Sequence, residues 1–121
     1  MVAASDSKIR VLCVDDVEDV TSALRMLIDT APGREMECIG SMNAADGLTE
    51  RVRSLEHPPD VVLLDANMPG RDPFRAMVEL AAECPKTGTI IYSARKGKTF
   101  IDKVMSAGAR GYICKEDPPA L

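Results

Sequence analysis

Asp60-Val61-Val62-Leu63-Leu64-Asp65 decides the fold. Four consecutive apolar residues stand between two aspartates. His57-Pro58-Pro59 bounds them on one side and Pro69-Gly70 on the other. A run this short, closed by turn formers and lacking polar alternation, reads as a strand of a parallel sheet, where helices cover both faces. It ends on a carboxylate, which matters for the chemistry below.

Working outward, Ile9–Val14 is a second run of the same kind, and it ends on Asp15-Asp16. Val20, Ala23, Leu24, Leu27, Ile28 and Ala31 follow at helical spacing, and Pro32-Gly33 stops that helix. Met36–Gly40 gives a weaker strand. Asn43 is placed to cap a helix carrying Ala44, Ala45, Leu48, Val52 and Leu55 on one side. Beyond Asp65, the face Phe74, Met77, Val78 and Ala81 predicts a third helix, and Thr89–Ser93 a fourth strand. Ile101, Val104 and Met105 predict a fourth helix with Gly108 as its C-cap, and Gly111–Cys114 a fifth strand closing at Lys115.

Strand and helix alternate with short connections. This predicts an α/β fold: a doubly wound, flavodoxin-like, five-stranded parallel sheet of order 2-1-3-4-5. A fifth helix should follow. Asp117-Pro118-Pro119 reads as its start, and the chain stops at Leu121, so that helix is expected to be truncated. An uncovered apolar face would favour self-association as a homodimer.

The chain has 121 residues, enough for one domain (1–121, core about 9–115). The apolar fraction of 45% and charged fraction of 28% are those of a globular protein. A net charge of -4 argues against direct nucleic-acid contact by this domain. Arg95, Lys96 and Lys98 read as a solvated helix start. No signal peptide or membrane-length apolar stretch is present, so the expected location is cytoplasmic. Cys13, Cys38, Cys84 and Cys114 show no metal-ligand spacing and read as reduced thiols. The seven methionines read as core filler. His57 falls at the wrong end of the third strand for chemistry.

In a doubly wound sheet the site lies beyond the carboxyl ends of the strands. Those ends carry Asp15 and Asp16, Asp65, Ser93 and Lys115. Three carboxylates in one crevice call for a hard divalent cation, and Mg²⁺ takes oxygen ligands. Asp65 is the natural nucleophile for an aspartyl-phosphate, with Lys115 and Ser93 placed for phosphoryl oxygens.

Val14-Asp15-Asp16, Leu64-Asp65-Ala66-Asn67-Met68-Pro69-Gly70, Ser93-Ala94 and Gly108-Ala109-Arg110-Gly111-Tyr112-Ile113-Cys114-Lys115 together resemble the response-regulator receiver domain of two-component signalling. The resemblance covers nearly the whole chain. It implies Asp65 as phospho-acceptor and Mg²⁺ held by Asp16, Asp65 and the Asn67 backbone carbonyl, with Asp15 acting through water. It implies Ser93 and Tyr112 as the switch pair and Lys115 as the phosphoryl contact. The implied phosphodonor is a phosphohistidine on a sensor histidine kinase, or a small phosphodonor. The stretch from Gly108 to Asp117 is most similar to receivers joined to helix-turn-helix DNA-binding output domains, which implies transcription regulation through a domain beyond residue 121. Such a module catalyses only its own phosphorylation and dephosphorylation and is otherwise not an enzyme. The sequence departs from the family's pattern at Pro73 and Glu116, and Arg95 occupies a variable position. Two alternatives remain: a receiver-fold binding module that works without phosphorylation, and an aspartate-nucleophile phosphatase. Asn67 stands where such a phosphatase needs a general acid.

Overall fold

A computed structural model describes residues 8–68, 72–94 and 97–115. Five strands, β1 (Ile9–Val14), β2 (Met36–Met42), β3 (Val61–Asp65), β4 (Gly88–Ser93) and β5 (Gly111–Cys114), alternate with four helices. These are α1 (Glu18–Asp29), α2 (Leu48–Ser54), α3 (Pro73–Glu83) and α4 (Lys98–Ser106). The sheet is parallel throughout and ordered β2-β1-β3-β4-β5, as the alternation predicts. The start of the expected fifth helix, Asp117-Pro118-Pro119, lies outside the described residues, as do Arg95 and Lys96 of the basic cluster. Lys98 pairs with Asp102 one helical turn on, as a solvated helix start should.

Because side chains alternate across a strand, the sheet sorts its apolar residues into two cores. Leu12, Val14, Val62 and Leu64 point to one face, where Val52 of α2, Met77 and Leu80 of α3, and Phe100 and Val104 of α4 cover them. Val11 and Cys13 point to the other, joined by Ile28 of α1 and flanked by half-buried Leu24, Val61 and Leu63. The second core is smaller. β3 therefore shows alternating burial rather than complete burial on both faces.

Several predicted details shift. Asn43 does not cap α2. That helix begins at Leu48 behind Gly47, which takes a left-handed φ of 73° with no side-chain cap. Ala45, Leu48 and Val52 still form its buried face, because the irregular turn before the helix carries Ala45 inward. In α1 the buried residues are Thr21 and Ile28, while Ala23 and Leu27 are exposed. In α3 Pro73, Ala76, Met77 and Leu80 are buried and Phe74 packs half-buried beside them, while Val78 and Ala81 lie outside. In α4 Phe100 and Val104 are buried with Ile101 packed half-buried beside them, and Met105 is exposed. In each helix the apolar stripe is wider than the surface the sheet offers, and packing selects part of it. The same reason corrects the methionines: Met68 and Met77 are core, whereas Met26 and Met105 face solvent. Gly108 acts as expected. It follows α4 with φ of 114° and donates its amide to the Met105 carbonyl.

Leu64 is fully buried between β3 and the helices of the larger core. Leu64→Ala should lower the free energy of unfolding by roughly 2–5 kcal/mol through lost transfer energy and a cavity. Urea denaturation followed by circular dichroism checks this. A cost below about 1 kcal/mol would mean that the core collapses around the gap.

Candidate functional site

β1 ends at Val14, and the chain turns so that Asp15 is buried while Asp16 faces outward. The Asp15 carboxylate is oriented by its own loop: Oδ1 accepts the Val17 amide at 2.9 Å. Asp65, at the end of β3, repeats the device, with Oδ1 accepting the Asn67 amide at 3.0 Å. An aspartate that accepts the amide two residues on is a turn former as well as an acid. Both strands therefore end by fixing a carboxylate.

The parallel pairing of β1 with β3 sets these acids side by side. Carboxylate oxygens of Asp15, Asp16 and Asp65 lie within 4.8 Å of one another. Lys115, just past β5, reaches across β4 to meet them. Its Nζ donates to Asp15 Oδ2 at 2.8 Å and stands 3.3 Å from Asp65 Oδ2. The Lys115 backbone is positioned by its amide, which donates to the Ser93 carbonyl at 2.8 Å. The ammonium also lies 5.3 Å from the centre of the Tyr92 ring, a cation–π contact.

These surroundings shift two groups. Burial pushes the Asp65 carboxyl up, with the Asn67 amide opposing, the Asp15 charge raising it further and Lys115 lowering it. Burial alone would lower Lys115, but the hydrogen bond to Asp15 and the two carboxylate charges outweigh it and hold the ammonium above its ordinary value. The site is thus poised between repulsion among acids and attraction to one cation.

Ser93, fully buried at the end of β4, receives a hydrogen bond on Oγ from Asn67 Nδ2 at 3.3 Å. Tyr112 in β5 stands edge-on to Phe100, with ring centres 5.8 Å apart, and Phe100 stands edge-on to Phe74 at 6.1 Å. The Tyr112 hydroxyl oxygen is buried, so the ring already points inward.

Of the residues singled out in the sequence, Asp15, Asp16, Asp65, Asn67, Ser93 and Lys115 therefore fall at one end of the sheet. Three features escaped that reading. The stronger partner of Lys115 is Asp15 and not Asp65. The Asn67 side chain, and not only its backbone, enters the site. A polar cleft of about 550 Å³ opens beside the acids, between the start of α1 and the end of β2, lined in part by Asp16, Glu18, Asn43 and Arg51. Nothing in residue spacing encodes side-chain reach across two strands, and only the acidic character of the cleft was visible beforehand. His57 is exposed, beyond the amino end of β3, and takes no part.

The linkage signs follow from these shifts. Asp65 holds its proton to a higher pH than in the unfolded chain, so its protonation favours the fold and that contribution fades as pH rises through the folded value. The Lys115 contribution is complete below the ordinary lysine range and is lost only as pH rises through its raised value. Lys115→Ala at neutral pH should cost roughly 2 kcal/mol of stability, less than breaking a fully dry ion pair because Lys115 keeps some exposure. Adding Asp65→Asn to that variant should recover part of the loss, since one of the stranded charges goes with it. Additive effects of the two changes, measured by denaturant unfolding of all four combinations, would show that the three side chains do not act as one network.

The profile of the response regulator receiver domain matches residues 11–121. The oxygen regulatory protein NreC of Staphylococcus epidermidis (strain RP62A) is 30% identical over 110 residues, covering 90% of this chain and 49% of that protein. The transcriptional regulatory protein DegU of Brevibacillus brevis is 26% identical over 118 residues, covering 97% of this chain and 48% of that protein. The chain thus spans about half the length of these curated relatives. Among solved structures, a LuxR-family two-component response regulator from Aurantimonas sp. SI85-9A1 superposes with a TM-score of 0.82 at 27% identity, covering 93% of this chain and 78% of that one. The response regulator domain of Thermotoga maritima CheB gives 0.79 at 27% identity, covering 94% and 84%. The chain belongs to the response regulator receiver domain family of two-component signalling.

Proposed function

We propose that the chain accepts a phosphoryl group on Asp65 in a Mg²⁺-dependent transfer from a sensor-kinase phosphohistidine. The observation that carries this reading is the joint placement of three carboxylates and one ammonium at the carboxyl edge of the sheet. The donor set suits the ion: the oxygens of Asp15, Asp16 and Asp65 are hard ligands, close enough to share one cation. Asp16, Asp65 and the Asn67 carbonyl are the proposed direct ligands, with Asp15 acting through water. When bound, Mg²⁺ would offset the charge shared between the acceptor and the incoming phosphoryl oxygens.

The residues of the chain do the rest. A carboxylate oxygen of Asp65 attacks phosphorus, the phosphorus–nitrogen bond of the phosphohistidine breaks, and the imidazole leaves. Asp65 is oriented beforehand by the Asn67 amide, so little reorganisation is required. Lys115 turns from the two carboxylates toward a phosphoryl oxygen, an exchange of anionic partners at nearly constant position. Ser93 donates its hydroxyl to another phosphoryl oxygen and loosens its bond with Asn67. Tyr112, packed on Phe100, fills the space that Ser93 leaves, and the surface formed by α4 and β5 changes shape. The output proposed for that surface is a DNA-binding domain of the same polypeptide. The extra length of the relatives, and the regulatory names they carry, support it.

Intact mass spectrometry after incubation with Mg²⁺ and acetyl phosphate tests the reading. A single phosphoryl adduct is expected on the wild type, absent from Asp65→Asn and abolished by chelation. Lys115→Ala should reduce the adduct by about tenfold or more, as the loss of one charge-assisted contact in the transition state implies. A wild type that binds Mg²⁺ yet takes no phosphoryl group would instead identify a binding module that works without phosphorylation.

A further inference from the structure

Away from the acids, two cysteines meet across the β1–β2 seam. Cys13 Sγ lies 4.0 Å from Cys38 Sγ, with both thiols reduced. Their register partners differ: Cys38 pairs with Val11, and Cys13 with Ser41. Val11 and Cys13 share a face of β1, so Cys38, opposite Val11, meets Cys13 diagonally across the seam; just beyond, between Val11 and Leu12, the register slips and β2 carries an extra residue. Cys38 Sγ also lies 3.3 Å from the Gly40 carbonyl and donates to it. With Cys38 donating there, the Cys13 thiol can donate across the 4.0 Å between the sulfurs.

The two thiols differ in access. Cys13 is wholly buried in the smaller core, while Cys38 is half-buried on β2. β2 is an edge strand with a single neighbour, so it can move without dragging the rest of the sheet. A disulfide needs its sulfurs about 2.0 Å apart, so oxidation requires a closure of roughly 2 Å at a bulged edge.

We propose that Cys13 and Cys38 form an intramolecular dithiol that hydroperoxides oxidise to a disulfide. Cys38, the accessible thiol, attacks the peroxide. An oxygen–oxygen bond breaks, Cys38 becomes a sulfenic acid, and the thiol proton leaves with the departing alkoxide as the alcohol, or as water when the oxidant is hydrogen peroxide. Cys13 sulfur then attacks the sulfenic sulfur. The sulfur–oxygen bond breaks, and the sulfenic hydroxyl leaves with the Cys13 proton as water. The two thiols lose two electrons in all, and the peroxide gains them. Burial, and then the neighbouring Cys38, push the Cys13 thiol up to about 12, which keeps it from meeting the oxidant first and makes the resolving attack the slow step. The crosslink would join the same two strands that hold Asp15, whose amide donates to the Met42 carbonyl at 3.0 Å just above it.

Trypsin places the four cysteines on four different peptides, 11–25, 35–51, 76–86 and 111–115. The folded protein is treated with hydrogen peroxide, alkylated, digested without reduction and analysed by mass spectrometry. The expected product is a link between peptides 11–25 and 35–51, with an intact mass reduced by two hydrogen atoms. It should form in the wild type and in Cys84→Ser, and be lost in Cys38→Ser, which needs no change to the buried core. Peroxidation of Cys38 to a sulfinic acid, a Cys38 link between two chains, or four free thiols in the treated protein would each overturn the proposal. Cys13→Ser, if it folds, should leave a sulfenic acid on Cys38 that a dimedone probe captures, and an unlabelled Cys38 would also count against it.

Discussion

One ammonium group holds the carboxyl edge of the sheet together. Asp15 and Asp65 are both buried, and side by side they would repel each other strongly in a medium that screens poorly. Lys115 contacts both and makes the arrangement tolerable. The three residues come from three strands, β1, β3 and β5, so this local electrostatic solution also ties the middle of the sheet to its far edge. Asp65 is shifted up first by its burial, and Lys115, despite burial, by its hydrogen bond to Asp15 and the carboxylate charges; one cation answers two anions here, and a third acid stands at the surface. A site left short of positive charge is suited to receiving a divalent ion.

The topology makes this convergence possible at low cost. In a parallel sheet every strand delivers its last residue to the same edge, and the order 2-1-3-4-5 sets the ends of β1 and β3 against each other at the centre. The core beneath depends on simple alternation along β1 and β3, with Leu12, Val14, Val62 and Leu64 on one side and Val11 and Cys13 on the other. Rigid strands supply the positions, and short loops supply the chemistry.

Much of this was legible in the residues, for a definable reason. Asp60–Asp65 and Ile9–Val14 announce themselves as buried strands, and a strand's final residue needs no further information to be placed. Helix faces were harder. Leu27, Val78 and Met105 fit the helical period as well as their buried neighbours do, and only the shape of the sheet decides which of them touch it. Asn43 has the chemistry of a cap, yet the chain delays the helix to Leu48, because a left-handed Gly47 offers another way in. The Lys115–Asp15 pair depends on how far a lysine reaches over two intervening strands, and the Cys13–Cys38 contact depends on which residues of β1 and β2 the register sets opposite each other. Neither distance is written in local pattern.

The amides of Val17 and Asn67, each fastening the aspartate two residues before it, have a consequence for speed. A free carboxylate samples several rotamers, and freezing it at the moment of reaction would add an entropic barrier to every transfer. Here the loss occurs once, when the loops fold, and is shared with turn formation that the chain needs anyway. The backbone thus serves as a stored ordering step, so the rate at which such a module can be charged is set in part by how tightly its turns close.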